Sequence, residues 1–224
     1  MRKKDAWKIY SILLEHYPHA LDSPTTVGRG TPFQVLILTI LSAQTTDRAV
    51  LLVKKQLFKK YPTPAALATA DIANLETIIH SLGFYHAKAR HITAAAQMLI
   101  NEFDGIVPST MEGLLKLPGV GRKTANIVLY HAFAKTEGIA VDTHVKRLAQ
   151  RIGLSKSNEP DRIEQDLTRL FPQEQWGDLT DLLIAHGRVC CMAKKPLCEQ
   201  CLISRCCMYY NTRKKKGTIK VHDR

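Results

Sequence analysis

Apolar positions recur every three to four residues along almost the whole chain, and the two-residue alternation of a β-strand is scarce. The pattern predicts a first helix over about 5–16. A second runs from Pro32 to Ala43, with Thr31 as N-cap and Pro32 as the first helical residue. This helix is apolar nearly all round, so it belongs at the centre of a core. The next covers about 47–60 and turns Lys54, Lys55, Lys59 and Lys60 to water. Thr63-Pro64 and Asp71 open two short helices, the second stopping near Gly83. An amphipathic helix from His86 to Phe103 ends at Gly105. Ser109-Thr110-Met111-Glu112 has the spacing of a capping box and starts a short helix to Lys116. Another helix begins at Arg122. Asp142 or Thr143 caps one that ends near Gly153, and helices near 160–171 and 175–185 follow. From Tyr210 the chain carries Arg213-Lys214-Lys215-Lys216 and little apolar content, which reads as a mobile basic tail. The fold class is all-α.

The chain has 224 residues, enough for one large domain or two small ones with real cores. Lys+Arg number 32 against 20 Asp+Glu, a formal net charge of +12 that points to a polyanionic partner. The most apolar run, from Phe33 to Ser42, is too short to span a bilayer. The N-terminal MRKKDAWKIYSILLEHY lacks the uninterrupted apolar stretch of a signal peptide. An intracellular, reducing setting is therefore expected, with no membrane partner. In such a setting the six cysteines between Cys190 and Cys207 are not expected to pair as disulfides. Their close spacing suggests a metal, and both a Cys₄ zinc site and a [4Fe-4S] cluster take four cysteines.

The most informative stretch is LPGVGRKTANIVL (117–129), followed by Val141-Asp142-Thr143-His144. Gly119 and Gly121 flank Val120 in a tight turn. Glycine permits positive φ and lets backbone N–H groups approach a ligand closely. The helix that follows starts with free N–H groups and a positive dipole end, which favours an anion such as a DNA phosphate. Arg122 adds charge there. Lys123 is either a second phosphate contact or a nucleophile. The positive helix end disfavours its ammonium form, as partial burial would, and a neutral amine can form a Schiff base. Asp142 is either a plain N-cap or a carboxylate that accepts protons and stabilises a cationic sugar. A phosphate-gripping turn, a lysine and an aspartate together fit cleavage of an N-glycosidic bond in DNA.

With LSAQTTD (41–47) and GFYHAKA (83–89), these motifs resemble the helix-hairpin-helix Gly/Pro/Asp DNA glycosylases, and within them the endonuclease III branch. The resemblance runs from the first helix to the last cysteine. It implies a two-lobed fold: a six-helix barrel over 25–136 with the hairpin at about 109–134, an iron–sulfur domain from 1–24 plus 137–212, and a flexible basic tail over 213–224. It implies a bifunctional glycosylase and AP lyase of base excision repair, acting on oxidised pyrimidines in damaged double-stranded DNA. Lys123 would be the nucleophile and Asp142 the essential carboxylate. Gln44 would fill the space left by the extruded base, and Phe84, where many relatives carry leucine, would wedge into the opposite strand. Gly119, Val120, Gly121, Arg122 and His144 would contact DNA.

The spacing Cys191-x6-Cys198-x2-Cys201-x5-Cys207 matches the cluster pattern of that branch and favours [4Fe-4S] over zinc. Cys190 and Cys206 permit other spacings. His186-Gly187-Arg188 resembles the family's HGR and sets the register on Cys191. Lys194 and Lys195 in the loop would face phosphate. A monomer is expected, in the cytoplasm and on the nucleoid through DNA. Two other functions compete: a glycosylase without lyase chemistry, and a DNA-binding module that uses the hairpin for phosphate alone.

Overall fold

The structure is a computed structural model and describes residues 1–22 and 30–216. Every regular element among the described residues is helical. The α-helices are α1 Lys3–His16, α2 His19–Asp22, α3 Pro32–Leu41, α4 Asp47–Lys60, α5 Pro64–Ala68, α6 Ile72–Ile79 and α7 Tyr85–Glu102. They continue with α8 Met111–Lys116, α9 Arg122–Phe133, α10 Thr143–Ile152, α11 Pro160–Leu170, α12 Trp176–Val189 and α13 Met208–Lys215. None is long and apolar enough to cross a membrane. The chain forms two compact units: Pro24–Glu137, and Met1–Ser23 together with Gly138–Arg224.

In the unit of α3–α9, α3 is the central element. Leu36, Ile37, Leu38 and Leu41 are fully buried, and each contributes roughly 1.5–3 kcal/mol by leaving water. The helix packs against α7 and α9, the two helices that lead out of the GFYHAKA and LPGVG turns. Thr31 and Gln34 form a reciprocal capping box with Pro32 inside the first turn, so the start of α3 is well specified. The capping box expected from Ser109 gives way to a simple cap one residue on: Thr110 is the N-cap of α8, and its hydroxyl accepts from the Gly113 N–H.

The other unit buries the apolar faces of α1, α10, α11 and α12, including Leu13, Leu148, Leu167 and Leu182. Gly153 ends α10 in the left-handed region at φ +92, as a C-terminal glycine does. α12 runs on to Val189, past the stop expected near residue 185. The tail expected to be mobile from Tyr210 is helical as far as Lys215. Tyr209 in that helix lies under the guanidinium groups of Arg151 and Arg213, at 5.0 and 5.4 Å. This anchorage was hidden by the low apolar content of the segment. The remainder of that tail, 217–224, and the start of the expected barrel domain, 25–29, lie outside the described residues.

Candidate active site

In the first unit described, α8 and α9 pack as a hairpin around the Pro118–Gly121 turn. The two glycines do different work. Gly119 has φ +80, and a Cβ there would meet His91 Cβ at 3.0 Å and Ile40 Cγ2 at 3.2 Å. Its glycine is required by the fold. Gly121 has φ −98, and a Cβ there would meet nothing within 4 Å. No internal packing explains a glycine at that position. Val120 between them is 7% exposed and donates its N–H to the Leu117 carbonyl. Its side chain therefore anchors the turn in the core and does not face outward.

Gly121 is the N-cap of α9 and has no side chain to cap that helix start. Arg122 and Lys123 follow in the first turn, and both are exposed. Gln44 and Phe84 share an unusual backbone: both stand in the left-handed region, at φ 51 and 58, and both are exposed, Phe84 by 70%. For residues with a side chain this conformation is costly, and it draws attention to function. A Cβ on Gly83 would lie 3.8 Å from the Gln44 carbonyl oxygen, so the two segments run against each other.

In the second unit, Asp142 is the N-cap of α10. Its Oδ1 accepts from the Val145 N–H at 2.7 Å, and its Oδ2 lies 3.2 Å from His144 Nδ1. The carboxylate is mostly sheltered, with 17% of the side chain exposed. One oxygen is thus committed to the helix start and the other is held by a histidine. Lys123 and Asp142 come from separate units.

The cysteine segment follows α12. Cys190, Cys191, Cys198, Cys201 and Cys207 line one small pocket with His186, Ile203, Tyr209 and Tyr210, and Cys206 is not among its lining residues. The thiols are all unpaired. Burial pushes Cys207 up to about 11 and also raises Cys198. Cys201 is raised furthest, because its S–H is engaged by Cys190 and because it is buried. At Cys198, Cys201 and Cys207 a thiolate therefore needs a cation to hold it, whereas the hydrogen bond with Cys201 lowers Cys190; metal binding would release protons. The closest donor group is His186, Cys190 and Cys201, whose ligand atoms lie within 4.8 Å of one another. That group contains Cys190 rather than Cys191 and adds a histidine to the expected donors. Lys194 and Lys195 are exposed on the same segment.

Four residues that hold these sites went unassigned from the sequence. Arg151 donates to Met192 and Ala193 carbonyls, both at 2.8 Å, and reaches Cys191 Sγ at 3.5 Å. Arg147 donates to the Gly187 and Cys191 carbonyls. His186 lies 3.5 Å from Cys201 Sγ, and its other ring nitrogen lies 3.0 Å from the Tyr17 hydroxyl. A neutral imidazole that donates to sulfur and accepts from Tyr17 satisfies both contacts. The fourth residue, Lys88, is 5% exposed and donates to Thr45 Oγ1. His186 and Lys88 lie inside the HGR and GFYHAKA motifs, and that placement was the available signal.

Known proteins share this architecture. Endonuclease III of Synechocystis sp. is 49% identical over 206 residues, spanning 92% of this chain and 93% of its own length. A solved non-covalent endonuclease III–DNA complex superposes with a TM-score of 0.88 at 36% identity, covering 96% of this chain and 99% of that one. A trapped endonuclease III–DNA covalent intermediate, an estranged-adenine complex, matches to the same extent. The family model described as HhH-GPD superfamily base excision DNA repair protein matches residues 37–173, which include the hairpin, Lys123 and Asp142. The chain belongs to the HhH-GPD superfamily of base excision DNA repair proteins.

Proposed function

We propose that this chain is a bifunctional DNA glycosylase and AP lyase that removes oxidised pyrimidines from duplex DNA, with Lys123 as nucleophile and Asp142 as the working carboxylate. The observation that carries the reading is the start of α9. A lysine stands exposed in the first turn of a helix whose cap is a glycine that no internal packing explains. A relative caught as a covalent intermediate with DNA needs a nucleophile, and the first turn of α9 offers one.

In this reading the bare N–H groups of α9, with Gly119, Gly121 and Arg122, grip a phosphate beside the lesion. Val120 shapes the turn from within. Gln44 and Phe84 occupy the gap and the opposite strand once the damaged nucleotide leaves the stack. Lys123 Nζ attacks C1′, the C1′–N bond breaks, and the base departs with the electron pair and a proton. Asp142 accepts protons and stabilises positive charge on the sugar, with His144 holding one of its oxygens. The amine nitrogen gives up one proton, the C1′–O4′ bond breaks as O4′ takes up a proton and the sugar ring opens, and the nitrogen lone pair forms the protonated imine. Removal of a C2′ proton then breaks the C3′–O bond by β-elimination, and water hydrolyses the imine to return the lysine.

A [4Fe-4S] cluster fits the donor set of the cysteine segment. Cys191, Cys198, Cys201 and Cys207 line one pocket, and Arg147 and Arg151 fix the chain around Cys191. When bound, the cluster would tie the segment together and present Lys194 and Lys195 to phosphate. Preparations are expected to be brown with absorbance near about 400 nm. Cys190→Ser should keep the colour and Cys191→Ser should lose it; the reverse pattern would move the ligand to Cys190.

The activity is tested with duplexes carrying single damaged bases, scored for base release and for strand nicking. Release and nicking in step on oxidised pyrimidines are expected. Release without nicking would reduce the protein to a simple glycosylase, and neither would leave a binding module.

A further inference from the structure

Lys88 is the most deeply placed lysine among the described residues whose job no mechanism above uses. It stands one turn into α7, with its N–H bonded to the Phe84 carbonyl at 3.0 Å. Its residue exposure is 5%, unusual for a lysine. A helical side chain leans back toward the N-terminus of its helix, and Lys88 does so to reach Thr45. Its ammonium donates to Thr45 Oγ1, and the Thr45 hydroxyl in turn donates to the Ala43 carbonyl at 3.3 Å.

That relay brackets Gln44. Ala43 and Thr45 are its two chain neighbours, and Gln44 itself stands at φ 51. At the other end of the relay, the backbone of Lys88 is bonded to Phe84, which stands at φ 58. Gly83 passes against the Gln44 carbonyl. Two strained, exposed residues on separate segments are thus joined through one buried cation. Left-handed backbone at a residue with a side chain persists only where its surroundings over-determine it. Burial also holds the Lys88 ammonium below the usual lysine range, a cost that a solvent-facing lysine would not carry.

We infer that Lys88, through Thr45, is the positioning residue that locks Gln44 and Phe84 into one rigid probe for base extrusion. The inference rests on the reading of Gln44 and Phe84 as the residues that enter the duplex. With the lock in place, both side chains enter the helix at a fixed separation, and the ordering cost of the two segments is met before DNA binds. Without it, each segment relaxes from its left-handed turn and must be reordered at every extrusion.

The test compares Lys88→Met, Thr45→Val and Lys88→Arg with the parent protein on one lesion, thymine glycol, in two settings. In the first the lesion is paired in a duplex. In the second it sits in a single-base bulge, already unstacked. Lys88→Met and Thr45→Val are expected to lower the ratio of paired to bulged activity about tenfold, the scale of one lost charge-assisted hydrogen bond. Lys88→Arg should restore most of that ratio. A general loss of stability lowers both activities together and leaves the ratio alone. Thr45→Val exchanges the hydroxyl for a methyl group of similar size, so it reports even if Lys88→Met folds poorly.

Gln44→Ala and Phe84→Ala run alongside. If they lower the ratio while Lys88→Met and Thr45→Val do not, the lock is refuted and the probe reading stands. If none of the four lowers it, the probe reading fails and the lock falls with it.

Discussion

The helices of the Pro24–Glu137 unit begin in two ways. Five of them, α3, α4, α5, α6 and α8, start on Thr31, Thr46, Thr63, Asp71 and Thr110, and each of those side chains accepts from a backbone N–H. The other two, α7 and α9, start on Phe84 and Gly121 with no side-chain cap. A cap contributes about 1 kcal/mol, and the chain uses one at every other helix start in the unit. The two helices without caps are those that carry Phe84 and Lys123. Neither N-cap residue supplies a side-chain acceptor to its helix start. Asp142, in the other unit, is the informative opposite: a side chain that caps its helix and is also proposed to do chemistry.

Asp142→Asn separates those two duties and should have the largest effect. Asparagine caps as well as aspartate, so α10 should keep its start and Tm should hold. Base release should fall on the order of a hundredfold or more, because the charge is gone. A matching fall in Tm would mean that the cap alone had been lost.

Gly121→Asp tests the bare helix start. The position has ordinary φ and open space, so the fold should accept the new side chain and gain a few tenths of a kcal/mol from a cap. Affinity for duplex DNA should fall about tenfold as the carboxylate takes the place of a phosphate. Unchanged affinity would show that α9 does not grip DNA there. Gly119→Ala is the contrasting case. Positive φ and the approach to His91 and Ile40 should cost about 1–3 kcal/mol of stability by thermal melting. The smallest change is Thr63→Ala at a capped start far from the proposed chemistry. It should lose about 1 kcal/mol with kcat unaltered.

The same comparison explains what could be read from the sequence. Thr31-Pro32, Thr63-Pro64 and Asp71 announce their helices because capping chemistry is local, and the structure starts α3, α5 and α6 there. The LPGVG turn was legible for a similar reason, although one glycine serves packing and the other does not. The left-handed conformations of Gln44 and Phe84 were not legible, because neither residue type prefers that region and the surroundings impose it. Lys88 read as part of a motif, while its burial depends on Thr45, which is 43 residues away. The supports of the cysteine segment were hidden likewise: Arg147 and Arg151 sit on α10, about 40 residues before the carbonyls they hold. Val120 stands among the DNA contacts that the resemblance implies, and its side chain lies in the core, which the sequence did not announce.

Lys123 is proposed as the nucleophile in the first turn of α9. Borohydride reduction during turnover on an oxidised-pyrimidine duplex, followed by peptide mapping of the cross-linked product, tests it most directly. The parent protein should give a stable protein–DNA adduct on the peptide containing Lys123, and Lys123→Ala should give none. An undiminished adduct in Lys123→Ala, or one mapped to another residue, would contradict the account.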